Sequence, residues 1–176
     1  MVRCGGRSVT GAAIRLEQSV SRGAWACSYY TMTNSNLEAP GNLIDMDVVS
    51  TFRMRDCLNY IQRRNSVSPP VNHYINLRRV DDFIIEGNTL RAYAGAQIAA
   101  FIGIGPGSTD GYIGPNVYAL EDGYTDPSTG TAIPKATAAA AVAIDASATG
   151  VRWSPNSIYK YWPAGTPKVV GGSQEL

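Results

Sequence analysis

The chain has 176 residues, 44% of them hydrophobic and only 16% charged, with a net charge of +1. A chain of this length can bury roughly 70% of the surface its unfolded form exposes, so one domain is expected, without disulfide or metal support. Cys4, Cys27 and Cys57 are odd in number and lack metal-like spacing, which predicts free thiols, and no apolar run reaches the ~18–20 residues of a membrane span.

The charge is unevenly placed. Residues 1–79 contain ten Arg, no Lys and five acids, whereas residues 80–176 contain five Lys or Arg and nine acids. Two mildly charged solvated faces would account for this. A sharper reading is head-to-tail self-association, the basic surface of one copy on the acidic surface of the next. The basic excess is far smaller than that of a domain gripping a duplex by its backbone, so no direct nucleic-acid contact is expected.

Residues 1–23 read as an extended N-terminal arm, with Gly5-Gly6, Gly11 and scattered Arg3, Arg7, Arg15 and Arg22. A terminus of this composition is ordered when a partner holds it. Its Arg and Ser faintly suggest a mitochondrial presequence, but Glu17 and the Gly pair break that pattern, so no removed targeting segment is expected. A single domain is expected over residues 24–176. Within it, 24–32 is rich in aromatics and reads as a strand, and 34–42 as a loop. Ile44, Met46 and Val48 alternate with Asp45 and Asp47 as in a strand. Further on, Met54, Cys57, Leu58 and Ile61 fall at helical spacing, with Arg53, Arg55, Arg63 and Arg64 largely off that stripe. The spacing predicts a single helix over about 50–64, its last arginines complementing the helix dipole.

After Pro69-Pro70, residues 71–77 read as a strand leading to the best-specified stretch, residues 80–105. Its Gly87-Asn88 pair suits a two-residue hairpin turn. A hairpin closed there would pair Ile85 with Leu90 and Phe83 with Ala92 on one apolar face, and Ile84 with Arg91 on the other. Residues 103–114 and 121–130 read as loops, 116–120 as a short strand, 136–144 as extended, and 151–153 and 157–162 as strands. No internal repeat at a fixed period is apparent. The whole predicts a mainly β protein with one helix, folded as a β-sandwich or barrel-like domain.

No catalytic, cofactor or metal site stands out. His73 is the only histidine and lies in a strand pattern, which favours a structural role. The Gly103–Ser108 run lacks the Gly-Lys-Ser/Thr ending of a phosphate loop, and the pairs Asp81-Asp82 and Glu121-Asp122 read as solvated loop ends. Tyr112, Tyr118, Tyr124, Tyr159, Tyr161, Trp153 and Trp162 gather in the C-terminal third. They either fill a core short of Leu or offer an aromatic platform to a protein or a glycan.

From Asn116 onward the order of short motifs resembles the β-rich virion-attachment modules of tailed bacteriophages. The residues are Thr125-Asp126, Gly130-Thr131, Ile133-Pro134, Asp145-Ala146, Gly150 and Ile158-Tyr159. The 80–105 stretch and the Ile133–Thr137 run also resemble phage capsid decoration proteins. The resemblance implies a non-enzymatic, multicopy virion protein of head, connector or tail, assembled in the host cytoplasm and bound to copies of itself and other structural proteins. The expected contact residues are Arg3, Arg7, Arg53, Arg55, Arg63, Arg64, Tyr112, Tyr124 and Trp162. The alternative is a glycan-binding β-sandwich using the C-terminal Tyr and Trp residues, and a third reading is an enzyme built on His73.

Overall fold

A computed structural model describes residues 5–7, 14–16, 29–39, 43–61, 71–172 and 174–175. The chain winds through successive coils, each laying one strand on each of three sheets. The first coil contributes β1 (Gly5–Arg7), β2 (Ile14–Leu16) and β3 (Tyr30–Thr33); the second β4 (Asn36–Ala39), β5 (Ile44–Val49) and β6 (Phe52–Arg55). The third contributes β7 (Leu58–Ile61), β8 (Val71–Val80) and β9 (Phe83–Glu86); the fourth β10 (Thr89–Ala92), β11 (Gln97–Ile104) and β12 (Tyr112–Ile113). In the fifth, β13 (Val117–Leu120) is followed by an inserted hairpin, β14 (Tyr124–Thr125) with β15 (Ala132–Ile133), then β16 (Thr137–Ile144) and β17 (Arg152–Trp153). The last has β18 (Ile158–Lys160), β19 (Val169–Gly171) and β20 (Gln174–Glu175).

Each strand bonds in parallel to its counterpart one coil away, giving three six-stranded sheets: β1-β4-β7-β10-β13-β18, β2-β5-β8-β11-β16-β19 and β3-β6-β9-β12-β17-β20. The architecture is a parallel β-coil, a solenoid in which each rung contacts its neighbours. Among the described residues, only β14 and β15 pair antiparallel.

Register turns the sequence into inward columns. On the second sheet Ile14, Ile44, Ile75, Ile102, Val142 and Val169 face one another coil after coil. On the third, Met32, Met54, Ile85, Ile113 and Trp153 align, beside the stacked rings of Tyr30 and Phe52 and the buried Phe83. The first sheet aligns Leu37, Asn59, Leu90, Tyr118 and Tyr159. Gly111 is required beside Phe83, because a Cβ there would overlap the Phe83 ring.

Corners are polar and equally ordered. Between the third and first sheets, Asn34, Asp56 and Gly87 all take positive φ (48°, 53° and 69°), a conformation that Asn, Asp and Gly tolerate best. The next residue in each coil builds a ladder. Asn88 Oδ1 accepts from the Cys57 N–H (3.0 Å), Asn88 Nδ2 donates to Met54 O (3.1 Å), and Asn116 Oδ1 accepts from the Asn88 N–H (3.0 Å). Ser157 Oγ continues it by accepting from the Asn116 N–H at 3.2 Å.

These observations correct several expectations. The protein is mainly β, but among the described residues there is no helix: 52–55 and 58–61 are strands, and the 62–64 end of the expected helix lies outside the described residues. Gly87-Asn88 is a corner, not a hairpin turn. Ile85 pairs with Met54 and Ile113, and Leu90 with Asn59 and Tyr118. The sheets are parallel and wound in coils, in place of a sandwich or barrel. The segment 34–42 contains a strand, β4. Within residues 1–23, the described strands β1 and β2 pair with β4 and β5, so they belong to the first coil. The extended readings of 71–77, 136–144, 151–153 and 157–162 correspond to β8, β16, β17 and β18.

Candidate binding groove

The outer face of the second sheet carries an uneven distribution of side-chain size. On β5 and β8, Asp45, His73, Asn76 and Arg78 face outward, whereas on β11 and β16 the outward row is Gly103 and Ala143. The His73 ring leans over Gly103, where a Cβ would overlap it, and Arg78 Cγ lies 2.8 Å from the position a Cβ on Gly105 would take. Large polar side chains thus form one wall beside a floor of small residues. Val170, Gly171 and Asp145 form the opposite side of a trough of about 510 Å³.

The polar wall is internally braced. Asn76 Nδ2 donates to Asp45 Oδ1 at 2.9 Å, and Arg78 reaches the same oxygen at 3.2 Å. His73 is hydrogen-bonded to Asn76; burial, the larger effect, nevertheless lowers its pKa below the usual 6.5, so the ring is neutral at pH 7 with one donor and one acceptor nitrogen. Across the trough, Asp145 Oδ1 accepts from Ser147 N–H (2.9 Å) and Oγ–H (2.6 Å), bonds that hold its pKa down. Asp47, just outside, is kept ionised chiefly by its hydrogen bonds with Arg79 (both 2.7 Å).

The residues expected to bind partners are scattered. Arg3, Arg63 and Arg64 lie outside the described residues, and Arg7 is described only as part of β1. Arg53 pairs with Asp82 at 2.6 Å and Arg55 with Glu86 at 2.8 Å, each bridging adjacent coils. Arg78–Asp45 and Arg79–Asp47 make similar bridges. Arg53 and Arg55 of the first half thus meet acids of the second half within the chain, whereas Arg78 and Arg79 meet acids of their own half. Tyr112 lies on β12, Tyr124 on the inserted hairpin and Trp162 beyond β18, three separate elements. Trp162 packs on Phe101 and Tyr159, its Nε1–H donating to Thr166 O at 3.2 Å, so this ring finishes the core.

The acid pairs are engaged too. Asp81 accepts from the Thr109 hydroxyl (2.7 Å), Asp82 holds Arg53, Glu121 holds Arg91 (2.9 Å) and Asp122 holds Lys135 (3.1 Å). Cys57 is a free, buried thiol whose pKa is raised by that burial. Among the described residues, no group of three or more His, Cys, Asp or Glu could hold a metal ion, and no helix is long and apolar enough to cross a membrane.

Sequence reasoning noticed the Asp45/Asp47 alternation and His73 but missed the groove. Its only local signal was the Gly103/Gly105 alternation beside an alanine-rich strand. Joining these to Asn76 and Arg78 requires the coil register. Against protein-family models, curated proteins and solved structures, the chain finds no match.

Proposed function

We propose that the protein is a non-enzymatic structural subunit of a large multicopy assembly, of the kind found in tailed-phage particles, and that it serves there as a stiff β-coil rod. One observation carries this reading. The outer face of the first sheet bears a straight row, Leu58, Thr89, Val117 and Ile158, aligned by register across four coils. Leu58 is 41% and Ile158 54% exposed. A row in which three of four residues are apolar, on an outer sheet face, is the kind of surface that association covers. The cross-coil ion pairs and the Asn ladder favour a rod that keeps its shape while neighbours pack along it. The contact is thus assigned to the sheet face, in place of the arginine docking expected from sequence.

Light scattering on size-separated protein tests the reading. The wild type is expected to elute as an oligomer, and Leu58→Arg with Val117→Arg as a folded monomer. A wild type that stays monomeric at all accessible concentrations contradicts it.

A further inference from the structure

We propose that the trough on the second sheet binds a neutral oligosaccharide. This goes beyond the assembly role, which uses the opposite chemistry on a different sheet.

Shape comes first. The trough's volume of about 510 Å³ falls within the roughly 300–1,000 Å³ typical of small-ligand sites. Its width is set by the spacing of β8, β11, β16 and β19, each about 4.8 Å from the next. Gly103 and Gly105 make room for the chain's own His73 ring and Arg78 stem, which lie over them, and the low part of the trough is at Ala143 and Gly171, where a ligand meets only small residues. Val170, 39% exposed, supplies apolar surface on the far side.

Chemistry then selects the ligand. The wall offers donors and acceptors together: the Asn76 amide, neutral His73, the Arg78 guanidinium and the Asp45 and Asp145 carboxylates. Hydroxyl groups, which donate and accept at once, match such a mixed set. A phosphate or sulfate does not, because Arg78 is already held by Asp45 and the second carboxylate, Asp145, would repel it. A metal ion is poorly served because Asp45 is engaged with both Asn76 and Arg78.

The test is an array carrying neutral, carboxylated and sulfated oligosaccharides, followed by calorimetric titration with the best neutral binder. The full chain is compared with Ala143→Trp, which fills the trough from an outward position, and with Asn76→Ala, which removes wall donors. Thermal unfolding of each variant checks the fold, and Val170→Ser provides a milder second variant if Ala143→Trp fails to fold. Binding to neutral glycans, weakened at least about tenfold by filling the trough and about three- to tenfold by loss of the Asn76 amide, supports the assignment. A blank array, binding restricted to anionic glycans, or neutral binding unchanged in the folded trough variants overturns it. Each result is independent of the oligomeric state that tests the assembly role.

Discussion

Two fully buried asparagines occupy neighbouring regions of the same solenoid with opposite consequences. Asn88, at the corner between the third and first sheets, bonds through its side chain to Cys57, Met54 and Asn116. Asn59, on the inward column of the first sheet between Leu37 and Leu90, has neither amide atom hydrogen-bonded among the described residues. Both are 0% exposed. The difference lies in what the backbone offers. At a corner the chain leaves the ladder and presents N–H and C=O groups that need partners. In mid-strand those groups are already bonded between coils, and a polar side chain meets only apolar neighbours.

The largest effect expected from this contrast is at the corner. Asn88→Leu should destabilise the protein by about 3 kcal/mol or more, since it leaves the Cys57 N–H and Met54 C=O buried without their partner. Chemical denaturation with an unchanged m-value would measure it. A near-neutral result would mean that the ladder is not a source of stability. In contrast, Asn59→Leu should stabilise by about 1–2 kcal/mol, completing an apolar column and removing an unpaired amide. Loss of stability there would indicate that Asn59 has an internal partner such as an ordered water.

A smaller effect distinguishes the outer face from both interiors. Because the folded pKa of His73 is below its unfolded value, the unfolded chain binds more protons in that window. Stability should therefore be full above about pH 6.5 and decline as pH falls toward the depressed folded value. His73→Gln should abolish that slope, as read from melting temperatures between pH 5 and 8. It should leave the separate acid loss below 3.8, to which Asp47 and Asp145 contribute because their folded pKa values are lowered.

Much of the burial was legible in the sequence while the connectivity was not. Phe83, Ile85, Leu90 and Ala92 are all buried as the alternation demanded. Alternation, however, fixes which side a residue faces, not which strand lies beside it. Gly87-Asn88 satisfies a hairpin turn and a solenoid corner equally. The expected helix arose because Met54 faces inward on β6 and Cys57 is buried in the corner, three residues on; Leu58, counted on the same stripe, is 41% exposed. The repeat escaped notice because its length is not fixed. Facing residues are 31 apart from Gly5 to Asn36, 22 from Asn36 to Leu58, and 41 from Val117 to Ile158, where the β14–β15 hairpin is inserted. The groove was illegible for the same reason, since its wall and floor belong to different coils.

The parallel winding can be tested most directly by disulfide trapping at Ile84, with Cys4, Cys27 and Cys57 replaced by Ser. In the coil, Ile84 faces Arg53 of the preceding turn; in a hairpin closed at Gly87-Asn88 it would face Arg91. The coil requires that Ile84→Cys with Arg53→Cys cross-link readily under mild oxidation and that Ile84→Cys with Arg91→Cys stay reduced. Efficient cross-linking of the second pair and not the first would contradict the winding, and with it the ladder, the groove and the apolar row.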